Sequence, residues 1–341
     1  MKELVKQLCA LPGVSSWEDK VREFLMQAAR PYADELRVDA LGNLIIRKKG
    51  KKATGDKLLL CAHMDEVGLM VRAITDEGYL KIDTVGSVDR RVLIGKPVLV
   101  GEKAVPGVIG LKAYHLVSRE EEETVPKLDE FYIDIGANNK AEAEQYVSLG
   151  DVAVFAGDCV EFGDGLLKAK ALDDRVGCAV LLTLLKEELP MDCTFVFTVQ
   201  EEVGTRGAFG AAFSVTPEIA LVLEGTTAAD VAGIPAHKRV CALGHGAVLP
   251  FMDNGSIADR GLFECLRTLA ERSGIPWQSK DYISGSNDAA VFQRTKTGVR
   301  TAIVAVPVRY VHSPSSVICI RDLDAVLTLV RAFIDDLSKE D

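Results

Sequence analysis

Apolar positions recur along the chain with two different periods. Ser15-Ser16 followed by Glu18-Asp19 reads as a capping box, and Val21, Phe24, Leu25 and Ala28 then recur at helical spacing. Leu41-Gly42-Asn43-Leu44-Ile45-Ile46 reads as a turn into a strand. Leu58 to Ala62 is a short apolar run, the mark of a strand buried on both faces, and His63 stands at its C-terminal end. From about Val67 the texture changes. The turn Asp76-Glu77-Gly78 between two short apolar runs predicts a hairpin. Strand-like pieces with Gly and Pro punctuation, as in Gly95-Lys96-Pro97 and Pro106-Gly107, continue to about Val160. Helical periodicity returns there only near Asn139 to Tyr146, and Glu120 to Glu123 reads as a solvated loop.

After Asp173 strands and helices alternate again. Val176 to Leu185 is an apolar helix. Cys193 to Val199, Ile219 to Leu223 and Ala302 to Val308 read as strands. Leu262, Leu266 and Leu269 mark an amphipathic helix, and Leu323 to Ile334 a closing one. There is no internal repeat or low-complexity stretch. The pattern predicts an α/β domain over residues 1–68 and 159–341, interrupted by a small β-rich insert over 69–158.

Composition narrows the function classes. The 341 residues carry 40 basic and 50 acidic side chains, a net charge of -10. That argues against a nucleic-acid binder relying on a basic surface, and against an anionic membrane as partner. The eight cysteines include no C-x-x-C pair and sit mostly in apolar runs. They read as reduced core thiols of a cytoplasmic protein. The opening MKELVKQLCALPG lacks the apolar stretch of a signal peptide, and no run of ~18 apolar residues could span a bilayer.

The candidate chemistry lies at strand ends. Four apolar strands run into metal-binding residue types: His63-Met64-Asp65, Gln200-Glu201-Glu202, Glu224, and Arg309-Tyr310-Val311-His312. A fifth segment, Asp173-Asp174-Arg175, opens a helix. In an open α/β sheet, ligands bind beyond the carboxyl ends of strands, so these side chains can converge. Two histidines and several carboxylates without a thiolate suit divalent metals such as Zn, Co or Mn. Two metals sharing one carboxylate need about five protein ligands, and His63, Asp173, Glu202, Glu224 and His312 supply them. Glu201 is then left as a general base. Singly, each element has an ordinary reading: a surface histidine, a solvated strand end, acids at a helix N-terminus. Together, in one chain, they point to a metal centre. His115 and His237 read as structural, and His245, in Gly244-His245-Gly246, is a weaker candidate for lining a substrate pocket.

Further pieces carry a family resemblance: Leu41-Gly42-Asn43, Ile133-Asp134-Ile135-Gly136-Ala137, Leu172-Asp173-Asp174-Arg175, Glu201-Glu202-Val203-Gly204-Thr205-Arg206-Gly207-Ala208 and Arg309-Tyr310-Val311-His312-Ser313-Pro314. With these, nearly the whole chain resembles the TET or glutamyl aminopeptidase family, metallopeptidase family 42, whose members often bear the names cellulase M or endoglucanase. The resemblance implies a mixed-sheet catalytic domain holding two divalent metal ions, Zn or Co. It implies His63, Asp173 and Glu224 on one metal and Asp173, Glu202 and His312 on the other, with Asp173 bridging and Asp65 orienting His63. It implies a cis peptide bond at the bridging Asp, a PDZ-like dimerisation insert, and a homo-oligomer, either a dimer or a tetrahedral dodecamer. Relatives often carry Asp where this chain has Glu224, which keeps the carboxylate. The implied substrate is a peptide with a free N-terminus, and Glu201 would deprotonate a metal-bound water for attack on the first carbonyl. Three other readings compete: a deacylase on N-acyl amino acids, a glycosidase, and a non-catalytic metal scaffold. The 2 Trp and 6% aromatics offer little for sugar stacking.

Overall fold

In a computed structural model describing residues 1–55 and 57–339, the chain opens with two amphipathic helices, α1 (Lys2–Ala10) and α2 (Asp19–Ala29). Helix α2 begins at Asp19, with Glu18 rather than Ser15 or Ser16 before it, and the capping box does not form. Glu18 instead accepts from the N–H groups of Ser16 (2.8 Å) and Gln200 (3.1 Å), and Ser15 Oγ donates to Asp65 (2.6 Å). These residues tie the start of the chain to distant strand ends.

Strands β1 (Glu35–Val38), β2 (Leu44–Lys48) and β3 (Leu58–His63) come next. The insert is then built from β4 (Gly68–Ile74), β5 (Leu80–Val85), β6 (Pro97–Val100), β7 (Val105–Gly110), β8 (Tyr132–Asp134) and β9 (Val152–Phe155). They close into an antiparallel barrel in the order β4-β5-β8-β7-β6-β9. Its interior is filled by Leu69, Val71, Ile82, Val98, Ile109 and Ile133 among others. Two short helices decorate it, α3 (Arg119–Glu122) and α4 (Lys140–Ala143). The acidic run read as loop is largely α3, because Ser118 and Glu121 close a capping box there; it is exposed, as its charge requires.

The chain returns through β10 (Val160–Phe162) and β11 (Leu166–Ala169) to α5 (Leu172–Leu185), β12 (Cys193–Thr198), α6 (Arg206–Val215) and β13 (Ile219–Thr227). It ends with β14 (Ala247–Leu249), α7 (Arg260–Ser273), β15 (Trp277–Ser279), α8 (Ala289–Arg294), β16 (Arg300–Val308), β17 (Ser316–Cys319) and α9 (Ile320–Leu337). An 8-stranded mixed sheet runs β1-β2-β12-β3-β13-β16-β14-β15, and β10-β11-β17 form a small antiparallel sheet.

The middle four strands, β12-β3-β13-β16, are parallel, with Thr198 beside His63 and Glu224 beside Ala305. Their runs are apolar because both faces are covered. Leu58, Leu60, Phe195 and Phe197 pack into the layer of α1, α5 and α9, whereas Leu59, Cys61 and Val196 pack with Ala208 and Ala211 of α6 and Phe292 of α8. The parallel pairing puts the carboxyl ends of the four strands at one edge. No helix among the described residues is long and apolar enough to cross a membrane.

Candidate metal centre

His63 closes β3, and its ring is fixed by Asp65, two residues further along the chain. Nδ1 lies 3.1 Å from the carbonyl oxygen of Asp65 and 3.4 Å from Asp65 Oδ1, which leaves Nε2 turned to the strand ends. The Asp65 carboxylate also accepts from Ser15 Oγ (2.6 Å), Glu201 N–H (3.0 Å) and Glu202 N–H (3.1 Å). Burial works against its charge, but these donors and His63 outweigh it, and its pKa falls below the ordinary carboxylate value. One buried carboxylate thus aligns the end of β3 with the loop after β12.

That loop has a second anchor. Asn43 Nδ2 donates to the Gly207 carbonyl (2.9 Å), and its Oδ1 accepts from Val199 N–H (3.0 Å). A Cβ at Gly207 would collide with Asn43 Oδ1 and the Val199 backbone, so only glycine permits this approach. The Leu41-Gly42-Asn43 and Gly207-Ala208 pieces are therefore two halves of one junction.

At the entry to α5, Ala171 has a left-handed φ of 54°, the Asp173–Asp174 peptide bond is cis, and neither Asp has helical angles. Asp173 projects among the strand ends. Gly225 lies against it, since a Cβ there would sit 3.0 Å from Asp173 Cα. The turn after β16 is held by Arg309, which pairs with both oxygens of Asp230 (2.6 Å each), and by Ser316 Oγ donating to the Tyr310 carbonyl (3.0 Å). Tyr310 and His312 take positive φ there, as does Gln200 before Glu201. Such backbone clusters at functional sites.

The residues named from the sequence meet. Asp173 lies between both histidines through different oxygens: Oδ1 is 3.4 Å from His63 Nε2, and Oδ2 is 3.5 Å from His312 Nε2. Glu224 Oε1 lies 3.4 Å from His63 Nε2, and Glu202 Oε2 lies 3.0 Å from His312 Nε2. Ligand atoms of His63, Asp173 and Glu202 fall within 4.8 Å of one another, as do those of His63, Asp174 and Glu224. The sequence does not single out Asp174 as a ligand. Its oxygens accept from His63 N–H (3.3 Å) and Gly177 N–H (3.0 Å), so its contacts are with backbone. Glu201 and Glu202 both border a cavity of about 110 Å³ with His63, Asp173, Glu224 and His312. His245, weighed as a pocket residue, is exposed and does not line it; His115 and His237 are exposed and do not line it either.

The electrostatics are those of a crowded carboxylate cluster. Burial opposes the His312 imidazolium, but Asp173 and Glu202 outweigh it and raise its pKa to about 11. His63 behaves alike: burial lowers, and Glu224, Asp173 and Asp65 raise it well above the ordinary value. Burial lifts Glu224 to about 8, and lifts Glu201 well above its ordinary value, with Glu224, Asp288 and Glu202 adding like charge. Asp173 Oδ1 and Glu202 Oε1 are buried without a hydrogen-bond partner. Buried carboxylate oxygens of that kind fit a bound cation.

Asp288 escaped sequence reasoning. It accepts from Thr198 Oγ1 (2.5 Å) behind His63, and burial raises it to about 6. An acid before a short helix reads as an N-cap, although no such hydrogen bond forms.

The sequence profile described as M42 glutamyl aminopeptidase matches residues 42–329. The chain belongs to the M42 family. An Acetivibrio thermocellus protein provisionally assigned as an aminopeptidase is 39% identical over 335 residues, 97% of this M42 chain and 98% of its own. The lysyl aminopeptidase of Pyrococcus furiosus is 32% identical over 350 residues, covering 99% and 98%. The Pyrococcus horikoshii TET1 peptidase, solved as a tetrahedron or a large octahedral shell, superposes with a TM-score of 0.86 at 34% identity over 97% of this chain and 98% of its own. M42 membership places this protein among the aminopeptidases, hydrolases of peptide bonds.

Proposed function

We propose that this chain is a two-metal aminopeptidase that removes the N-terminal residue from peptides. The supporting observation is the meeting of His63, His312, Asp173, Glu202 and Glu224 at one sheet edge, with carboxylate oxygens buried and unpartnered. Asp173 faces both histidines and is the natural bridge. His63, Asp173 and Glu224 would hold one cation, and Asp173, Glu202 and His312 the other. Nitrogen and oxygen donors without thiolate suit Zn or Co. Cations bound there supply Lewis acidity toward the scissile carbonyl and ease the ionisation of water.

Glu201 stands outside this ligand set. It takes the proton of the attacking water and delivers it to the leaving amine. Its raised pKa suits a base that must hold the proton between the two steps. Asp65 keeps Glu201 and Glu202 in place through their N–H groups. The barrel is proposed as the self-association module, with the PDZ-like role that the family implies, and the assembled TET1 peptidase supports a homo-oligomer for this chain.

The test is a panel of aminoacyl p-nitroanilides, each with a free and an N-acetylated amino group. The proposal expects turnover of the free forms only. Release of acetate from the acetylated forms, with no p-nitroaniline released from the free forms, would make the protein a deacylase.

A further inference from the structure

Lys280 comes directly after β15 and lines the same cavity as His63, Asp173, Glu201 and Glu224. Its exposure is 6%. Nζ donates to the Ser284 carbonyl at 2.6 Å, and among the described residues it makes no ion pair. Among the described residues, the other two buried Lys and Arg side chains are paired: Lys170 with Glu66 at 2.6 Å, and Arg175 with Glu66 at 3.4 Å. Buried lysine without a carboxylate is rare, because desolvation of the ammonium is costly unless an anion compensates. Burial pushes Lys280 down, and the more distant carboxylates of Asp253, Glu224 and Asp173 oppose that. In the proposed enzyme, Glu224 and Asp173 are committed to cations, so the ammonium is left short of negative charge. The adjoining wall, Thr226, Thr227, Ser284, Ser286 and Asn287, offers hydroxyls and an amide rather than an aliphatic lining.

We propose that Lys280 is the specificity-determining residue of this cleft, pairing with the side-chain carboxylate of an N-terminal Asp or Glu. The inference rests on the aminopeptidase reading. The names lysyl and glutamyl among the relatives point in opposite directions, and Lys280 decides between them: like charge disfavours a basic N-terminal residue. An apolar pocket discriminates weakly, whereas a buried charge that must be paired discriminates by orders of magnitude.

The experiment compares p-nitroanilides of Glu, Asp, Leu and Lys, which lack a C-terminal carboxylate, on the metal-loaded wild type, Lys280→Met and Lys280→Arg. Wild type is expected to favour Glu or Asp over Leu by at least about 10-fold and over Lys by more. Lys280→Met should lose about 100-fold on Glu, mostly in KM, and less than about 3-fold on Leu. Lys280→Arg, which keeps the charge, should keep the acidic preference. A wild-type preference for Leu or Lys overturns the proposal, as does an equal loss on Glu and Leu in Lys280→Met. If no anilide is cleaved, the aminopeptidase reading fails separately. Lys280 is then judged by calorimetry with free glutamate and norvaline. Glutamate-selective binding abolished in Lys280→Met supports the assignment, and equal or absent binding of the two overturns it.

Discussion

Glu201 and Glu202 are neighbours in the chain with different environments. Burial raises both carboxyls, but Glu202 Oε2 faces His312 at 3.0 Å, whereas among the described residues Glu201 pairs with no histidine. Glu201→Gln should therefore keep both metals by elemental analysis while turnover falls about 10²–10⁴-fold, the range for a lost general base. His312→Ala should lose metal as well as turnover. Retained turnover in Glu201→Gln would remove that residue from the mechanism. The same side chains set a pH dependence. His312 (about 11) and Glu224 (about 8) carry protons at pH 7 in the metal-free centre. Ligation needs both deprotonated, so the bound state holds fewer protons and affinity rises with pH. Calorimetry in buffers of different ionisation enthalpy should find protons released on Zn or Co binding, and weaker binding at pH 6 than at pH 8. Proton-neutral binding would contradict the assignment.

Between elements, the decisive geometry is the alignment of four parallel strands, and much of it was legible. Short apolar runs bounded by polar residues suit strands buried on both faces, so the strands that carry the site could be read from the pattern: His63 closes β3, Glu202 and His312 follow β12 and β16, and Glu224, read as a strand end, lies inside β13, which runs on to Thr227. Less legible was anything set by non-local pairing. The β-rich insert could be read, but its closure depends on β4 meeting β9 across most of the insert. Asp288 and Lys280 lie on irregular or short segments with no period to place them. Ser15 and Glu18 carried a capping signal that long-range partners overrode. The junctions they reveal are testable. Asp65→Ala removes the acceptor that aligns His63, Glu201 and Glu202, and should weaken metal affinity about 10–100-fold, as for other groups that orient ligands. Gly207→Ala should lower stability by about 1–3 kcal/mol through overpacking against Asn43 and Val199, read as a lower melting temperature.

At the scale of the whole molecule, the barrel leaves Tyr114, Leu116 and Val108 exposed, 78%, 61% and 50% respectively. Exposed apolar side chains on one module are what a partner subunit would cover. Light scattering should give a mass that is a multiple of the 36.9 kDa chain, and a monomer at all concentrations would refute the proposed role of the barrel. The central claim is that catalysis belongs to two cations at the strand ends. Its most direct test is to strip the protein with a chelator and titrate back Zn or Co, monitoring bound metal and cleavage of aminoacyl anilides together. The account predicts two ions per chain, with turnover lost on stripping and restored as the centre fills. Cleavage that persists in the stripped protein, or a centre that takes up no ion, would contradict it.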